Sequence, residues 1–271
     1  MEIKYIDIHS HLCLADYPVD QKTVIQNMRK NDVGTIIVGS SLEDSIEVVK
    51  LAEKNENIWA CIGVHPHEES KIGIHHGVLE FEEKEFEKLV SSPKVVAVGE
   101  CGLDYYKLAG SPEEINKIKA KQKEVFIKQI EFAIKYNKPL MLHIREAFDD
   151  AYEILSKYSI LNTGYKLRGN VHFFTGKLDT AQKFIDLGFT ISFVGLITYV
   201  HDFDKIIKAL PLTSIQAETD APFVPPVPHR GEKNEPSYVT FVYQKIAEIR
   251  GADPETVRLQ LLENAKRVFG I

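Results

Sequence analysis

The sequence predicts an α/β fold, a single (β/α)8 barrel of the TIM type, on three observations. Eight short β-branched or apolar runs recur along 271 residues, and segments with helical periodicity lie between them. Side chains of the kind that bind metals stand at the ends of five of these runs, which predicts a metal site at the C-terminal ends of the strands.

The runs fall at residues 5–8, 35–38, 59–64, 95–98, 139–143, 170–174, 189–194 and 214–217, each bounded by Gly, Asn, Pro or other turn formers. Between them, Ile46, Val49 and Leu51 repeat with helical spacing, as do Val125, Phe126, Ile130, Ala133 and Ile134. Ser111 with Pro112 and Glu114, and Asp253 with Pro254, read as helix starts. Eight strand–helix units favour a closed barrel, with a doubly wound open sheet as the alternative. The first strand lacks a GxGxxG. The Pro-rich segment 221–235 reads as a loop over one barrel face, and residues 1–271 read as one domain.

Composition narrows the function. A formal net charge of −6 argues against a broad basic surface that binds duplex nucleic acid by counterion release, although metals in an acidic cleft can still attract phosphate. No stretch is apolar and long enough to cross a bilayer, and the chain opens without a signal-peptide pattern. The expectation is a soluble cytoplasmic protein with no membrane and no obligate protein partner. Cys13, Cys61 and Cys101, odd in number and widely spaced, suit a reducing compartment.

The chemistry is carried by a constellation. His9 and His11 close the first run two residues apart, so strand alternation puts both imidazoles on one face. Glu100 follows an apolar fourth run, where a carboxylate needs a partner or a metal to be buried. His143, His172 and Asp220 close the fifth, sixth and eighth runs. Any one of the six is most simply a satisfied polar group, but the set points to divalent ions. Mixed imidazole and carboxylate donors suit Zn²⁺, Mn²⁺ or a similar ion such as Mg²⁺ better than Ca²⁺. Six ligands with one shared carboxylate suit two ions, with Glu100 as the bridge and Asp220 placed to accept a proton from water.

These residues sit in blocks that resemble the TatD family of metal-dependent deoxyribonucleases, within the amidohydrolase-like barrels. The blocks are Asp7-Ile8-His9-Ser10-His11-Leu12, Gly63-Val64-His65-Pro66-His67, Val98-Gly99-Glu100-Cys101-Gly102-Leu103-Asp104-Tyr105-Tyr106 and Pro139-Leu140-Met141-Leu142-His143. Val171-His172-Phe173-Phe174-Thr175-Gly176, Glu218-Thr219-Asp220-Ala221-Pro222 and Arg230-Gly231-Glu232-Lys233-Asn234-Glu235-Pro236 follow in order. The resemblance implies one α/β barrel, two or more divalent ions on the same six residues, and phosphodiester cleavage in DNA, often from a 3′ end. Two departures bear on the pocket: the usual His-Ser-Arg-Asp is His143-Ile144-Arg145-Glu146, and a bulky Phe173 follows His172.

Substrate contacts read less sharply. Arg145, two residues past His143, is placed to hold a phosphate, with an ion pair to Asp149 or Asp150 as the competing reading. His65 matches a motif position and is taken as a phosphate contact or the acid for the leaving oxygen, whereas His67 reads as a rim residue. Arg230 and Lys233 lie in the loop that should overhang the site, where Arg230 is the better phosphate contact. Tyr105, Tyr106 and Phe223 could stack on bases, though core packing is the simpler account. His75, His76 and His201 receive no chemistry, and residues 80–88 read as a solvated helix face.

The expected activity is hydrolysis of DNA, single-stranded or at 3′ ends. An amidohydrolase-type reaction on lactones or amides is the alternative, although many such enzymes bridge their metals with a modified lysine where Glu100 stands here. A barrel that binds nucleic acid or protein without catalysis would not need six intact ligands.

Overall fold

A computed structural model describes residues 2–13, 20–67, 79–160 and 166–271; His75 and His76 lie outside the described residues. The apolar runs become eight parallel strands hydrogen-bonded in chain order. They are β1 Tyr5–Ser10, β2 Val33–Val38, β3 Ile58–Ile62, β4 Val95–Asp104, β5 Leu140–Arg145, β6 Gly169–Val171, β7 Phe189–Phe193 and β8 Ile215–Ala217. Helices α1 Gln21–Lys30, α2 Leu42–Glu53, α3 Glu83–Val90, α4 Pro112–Lys135, α5 Phe148–Ile160, α6 Leu178–Asp186, α7 Asp204–Ala209 and α8 Val239–Arg250 follow the strands in turn, and α9 Pro254–Phe269 ends the chain.

The first and last strands meet. The His11 N–H donates to the Ala221 carbonyl (2.8 Å), the Asp220 N–H donates to the His9 carbonyl (3.0 Å), and Ser10 bridges Ala221 in parallel. This closes the sheet and removes the exposed edges of an open one.

Both strand faces are covered, which is why the runs are apolar throughout rather than alternating. One face, with Ile37, Ile62, Leu142 and Ile191, packs against helix residues such as Val48, Phe126, Leu155 and Phe184. The other, with Ile6, Ile8, Ile36, Val96 and Met141, packs against Leu262, Ala265, Val268 and Phe269 of α9. The predicted helix starts are present. Ser111 Oγ accepts from the Glu114 N–H while Glu114 Oε2 accepts from the Ser111 N–H, and Asp253 Oδ2 accepts from the Thr256 N–H. Among the described residues no helix is long and apolar enough to cross a membrane.

The strand limits differ from the sequence reading where the site is built. β4 continues past residue 98 to Asp104, so Glu100 lies within the strand rather than at its end, while β6 stops at Val171 and leaves His172 just beyond. The β4–β5 register shifts between Val98 and Cys101, and the β1–β2 register between Asp7 and Ser10. Such bulges re-aim side chains, here those of His9 and Glu100. β4 also approaches β5 too closely for ordinary residues. Gly99 and Gly102 have φ of +150° and +143°, and a Cβ on Gly102 would collide with the His143 carbonyl. Gly102→Ala should therefore destabilise the protein by about 1–3 kcal/mol, read as a lower urea midpoint, because β5 must shift or the backbone must strain. An unchanged midpoint would mean that β4 and β5 can part freely.

Candidate metal centre

Six side chains converge at the strand ends, organised around the Glu100 carboxylate, which is 3% exposed. Its two oxygens face different partners. Oε2 lies 3.4 Å from His9 Nε2 and 3.5 Å from His11 Nε2, the two imidazole nitrogens being 3.1 Å apart. Oε1 lies 2.9 Å from His143 Nδ1 and 3.3 Å from His172 Nε2. Asp220 joins the first group, with Oδ1 3.4 Å from His11 Nε2 and 3.8 Å from His9 Nε2. All six residues singled out in the sequence are thus brought together, and His9, His11 and Glu100 have ligand atoms close enough to hold one ion.

The outward nitrogens explain how the inward ones are presented. His11 Nδ1 lies 3.3 Å from the Val38 carbonyl, His143 Nε2 lies 2.8 Å from Asp104 Oδ2, and His172 Nδ1 lies 3.2 Å from Glu218 Oε2. A neutral imidazole that donates its proton outward offers a bare lone pair inward, which is the form that binds a cation. His65 is the reverse. Its Nδ1 accepts the His67 N–H (3.2 Å), so the neutral ring carries its proton on Nε2, which points toward Glu100 Oε1 at 3.6 Å. That tautomer turns a donor toward Glu100, while on distance alone His65, Glu100 and His143 also have ligand atoms close enough to hold an ion.

The electrostatics fit a cation. Burial pushes the Glu100 carboxyl up, but the charges of His65, His9 and His172 and the hydrogen bond from His143 hold it well below the usual range. Burial likewise disfavours charge on Asp220, yet the hydrogen bond from His11 and the neighbouring imidazoles lower it. The carboxylates in turn act on the imidazoles. His172 is raised well above its ordinary value, burial being outweighed by Glu218 and Glu100, and His143 is pushed up to about 9, burial being outweighed by Asp104 and Glu100. Four buried carboxylates, Glu100, Asp104, Glu218 and Asp220, demand positive charge at this point. Protons on the imidazoles or divalent ions between them meet the same demand, so ion binding should release protons.

The substrate candidates lie around this cluster. Arg145 is exposed at the end of β5, its guanidinium 3.5 Å above the Tyr106 ring, while Asp150 pairs instead with Lys123 (2.8 Å) and the Tyr105 hydroxyl (2.7 Å). Arg230, also exposed, stacks 4.2 Å over Tyr199. His67 pairs with Asp104 (3.1 Å), and His201 pairs with Asp204 on the surface. Phe223 sets its ring edge-on to His11, at 6.3 Å between centroids. Burial raises the thiols of Cys61 and Cys101, and raises Cys13 to about 12, so none is a ready thiolate; all three are free. The sequence reading passed over Asp104 and Glu218, although both stand inside quoted motif blocks.

A family model described as "TatD related DNase" matches residues 6–270. The uncharacterized metal-dependent hydrolase YabD of Bacillus subtilis is 34% identical over 271 residues, covering 98% of each chain. The uncharacterized metal-dependent hydrolase TatD of Mycobacterium tuberculosis is 29% identical, again over 98% of each. Among solved structures, the TatD homologue YjjV of Escherichia coli superposes with a TM-score of 0.83 at 27% identity, covering all of both chains.

The shifted imidazoles set a pH dependence for the chelator-treated protein. A raised imidazole stabilises the fold fully below its unfolded value of about 6.5 and ceases to do so as pH rises through its folded value. For His143 that window ends near 9; His11 and His172 add the same sign, and His9, lowered chiefly by burial, opposes it. The Tm of the EDTA-treated protein should fall between pH 6.5 and 9, and His143→Asn should flatten the profile.

Proposed function

This chain belongs to the TatD-related DNase family of metal-dependent hydrolases, and on that footing we propose that it hydrolyses phosphodiester bonds of DNA, single-stranded or at 3′ ends. The observation that carries the reading is the division of Glu100 between two imidazole pairs. His9, His11 and Asp220 would hold one divalent ion and His143 and His172 a second, with Glu100 shared, in one barrel domain spanning residues 1–271. Zn²⁺, Mn²⁺ or Mg²⁺ is the expected species. A reducing cytoplasm suits the three free cysteines.

When bound, such ions acidify a water and offset charge on the attacking and leaving oxygens. The protein's own groups do the remainder. Asp220 takes the proton of the water whose oxygen attacks phosphorus. As the P–O bond to the leaving sugar breaks, His65 delivers its Nε2 proton to the departing oxygen, a role its hydrogen bond from His67 supports. Arg145 and Arg230, held on their tyrosines, contact the substrate phosphates.

Elemental analysis combined with product gels on 3′- and 5′-labelled DNA tests this reading, with lactones and dipeptides assayed alongside. Chelator-sensitive loss of label from the 3′ end is expected, and lactone or dipeptide turnover without DNA cleavage would overturn it. His65→Asn should lower kcat by about 10²–10⁴-fold while leaving metal content unchanged. Asp220→Asn should lose activity, and full activity with unchanged metal would remove Asp220 from its role as base.

A further inference from the structure

Glu218 is wholly buried just past the end of β8, two residues before Asp220. Its surroundings are donors. Oε1 accepts from the Phe173 backbone N–H at 2.6 Å and lies 3.0 Å from the Ser192 hydroxyl. Oε2 lies 3.2 Å from His172 Nδ1 and 3.9 Å from His9 Nδ1, which is buried with no hydrogen-bond partner. The His9 and His172 rings stack at 3.8 Å with 15° between their planes, so one carboxylate faces the outward nitrogens of both.

We propose that Glu218 is a positioning residue, which fixes His172 as its Nδ1–H tautomer and thereby presents the His172 Nε2 lone pair to the centre. The proposal rests on the reading of His172 as a cation ligand and adds a residue that acts through it. His9, His172 and Glu218 could on distance alone gather around an ion of their own. Each imidazole would then ligate through Nδ1 and turn its Nε2 proton toward Glu100, so neither ring would offer the centre a lone pair, against the reading of both as ligands there. With Glu218 as the acceptor of the His172 Nδ1 proton, the Nε2 lone pair of that ring stays free for the centre.

The same carboxylate also fixes where His172 stands. Phe173 has φ of +43°, a left-handed conformation that a bulky residue adopts only when its surroundings impose it, and its N–H is the one bound by Glu218. Glu218 thus grips the chain on one side of the His172 ring and the ring nitrogen on the other. Glutamine cannot replace it. With its oxygen kept on the Phe173 N–H, its NH₂ group would meet His172 Nδ1 as a donor, favouring the opposite tautomer and putting a proton on Nε2, where the lone pair is needed.

The test compares Glu218→Gln, His172→Ala and the double variant by calorimetric titration of the metal-free full-length proteins with Zn²⁺. Glu218→Gln should weaken one equivalent by about 10–100-fold, as loss of a ligand's outer hydrogen-bond partner typically does. His172→Ala should weaken the same equivalent, and the double variant should be no weaker than His172→Ala. Wild-type binding by Glu218→Gln alongside weakened binding by His172→Ala would overturn the positioning role and leave the metal reading intact. Wild-type binding by His172→Ala would overturn both. A second measurement needs no variant: nitrogen-15 spectra of the Zn²⁺-loaded wild-type protein should show the His172 ring protonated at Nδ1, and a proton on Nε2 would refute the proposal even if Glu218→Gln failed to fold.

Discussion

A carboxylate as buried as Glu100 loses most of its hydration, a cost of several kcal/mol unless opposite charge is set against it in good geometry. The fold meets that requirement from three strands at once. The histidines of β1 approach one oxygen, and those at the ends of β5 and β6 approach the other. The architecture around the centre follows from this demand. Asp104 and Glu218 stand behind His143 and His172 as acceptors, so these two rings have somewhere to send a proton other than the space they share with Glu100. The result is an acidic pocket inside an acidic protein, whose charge bound divalent ions would offset.

The metal-type residues were legible in the sequence because they are anomalous. Imidazoles and carboxylates at the ends of apolar runs have no cheap explanation in a buried strand, and six such positions in order are hard to dismiss. The length of β4 was not legible. Gly99, Glu100 and Gly102 look like strand breakers, and the strand continues only because β5 pairs along its far half, at Cys101 with Leu142 through Asp104 with Arg145. Local propensity gave way there to tertiary pairing. The roles of Asp104 and Glu218 were hidden for a related reason. Each acts on an imidazole 39 or 46 residues away, and strand alternation carries no information about which ring nitrogen meets which acceptor. His65 illustrates the limit. The motif located it, but only the His67 N–H on its Nδ1 distinguishes a donor from a ligand.

Barrel closure and the centre prove to be one object. Asp7 is wholly buried beside the seam between β1 and β8, where it accepts the Thr219 N–H (2.8 Å), the Thr219 hydroxyl (2.6 Å) and the His9 N–H (3.2 Å). The next residue along, Asp220, has φ of +55°, an uncommon conformation for a non-glycine residue, and its N–H donates to the His9 carbonyl. Asn234 ties the following loop back onto the same turn through the Thr219 and Phe223 carbonyls. The strand that brings His9 and the turn that brings Asp220 are therefore registered to each other by the bonds that close the sheet. A change that loosens the seam must also move a carboxylate relative to an imidazole pair, because the seam bonds are made by the backbone of His9, His11 and Asp220 themselves. This follows from placing the centre where the first and last strands meet: every other pair of strands is joined by a longer ladder, and this one is held largely by the residues that build the site.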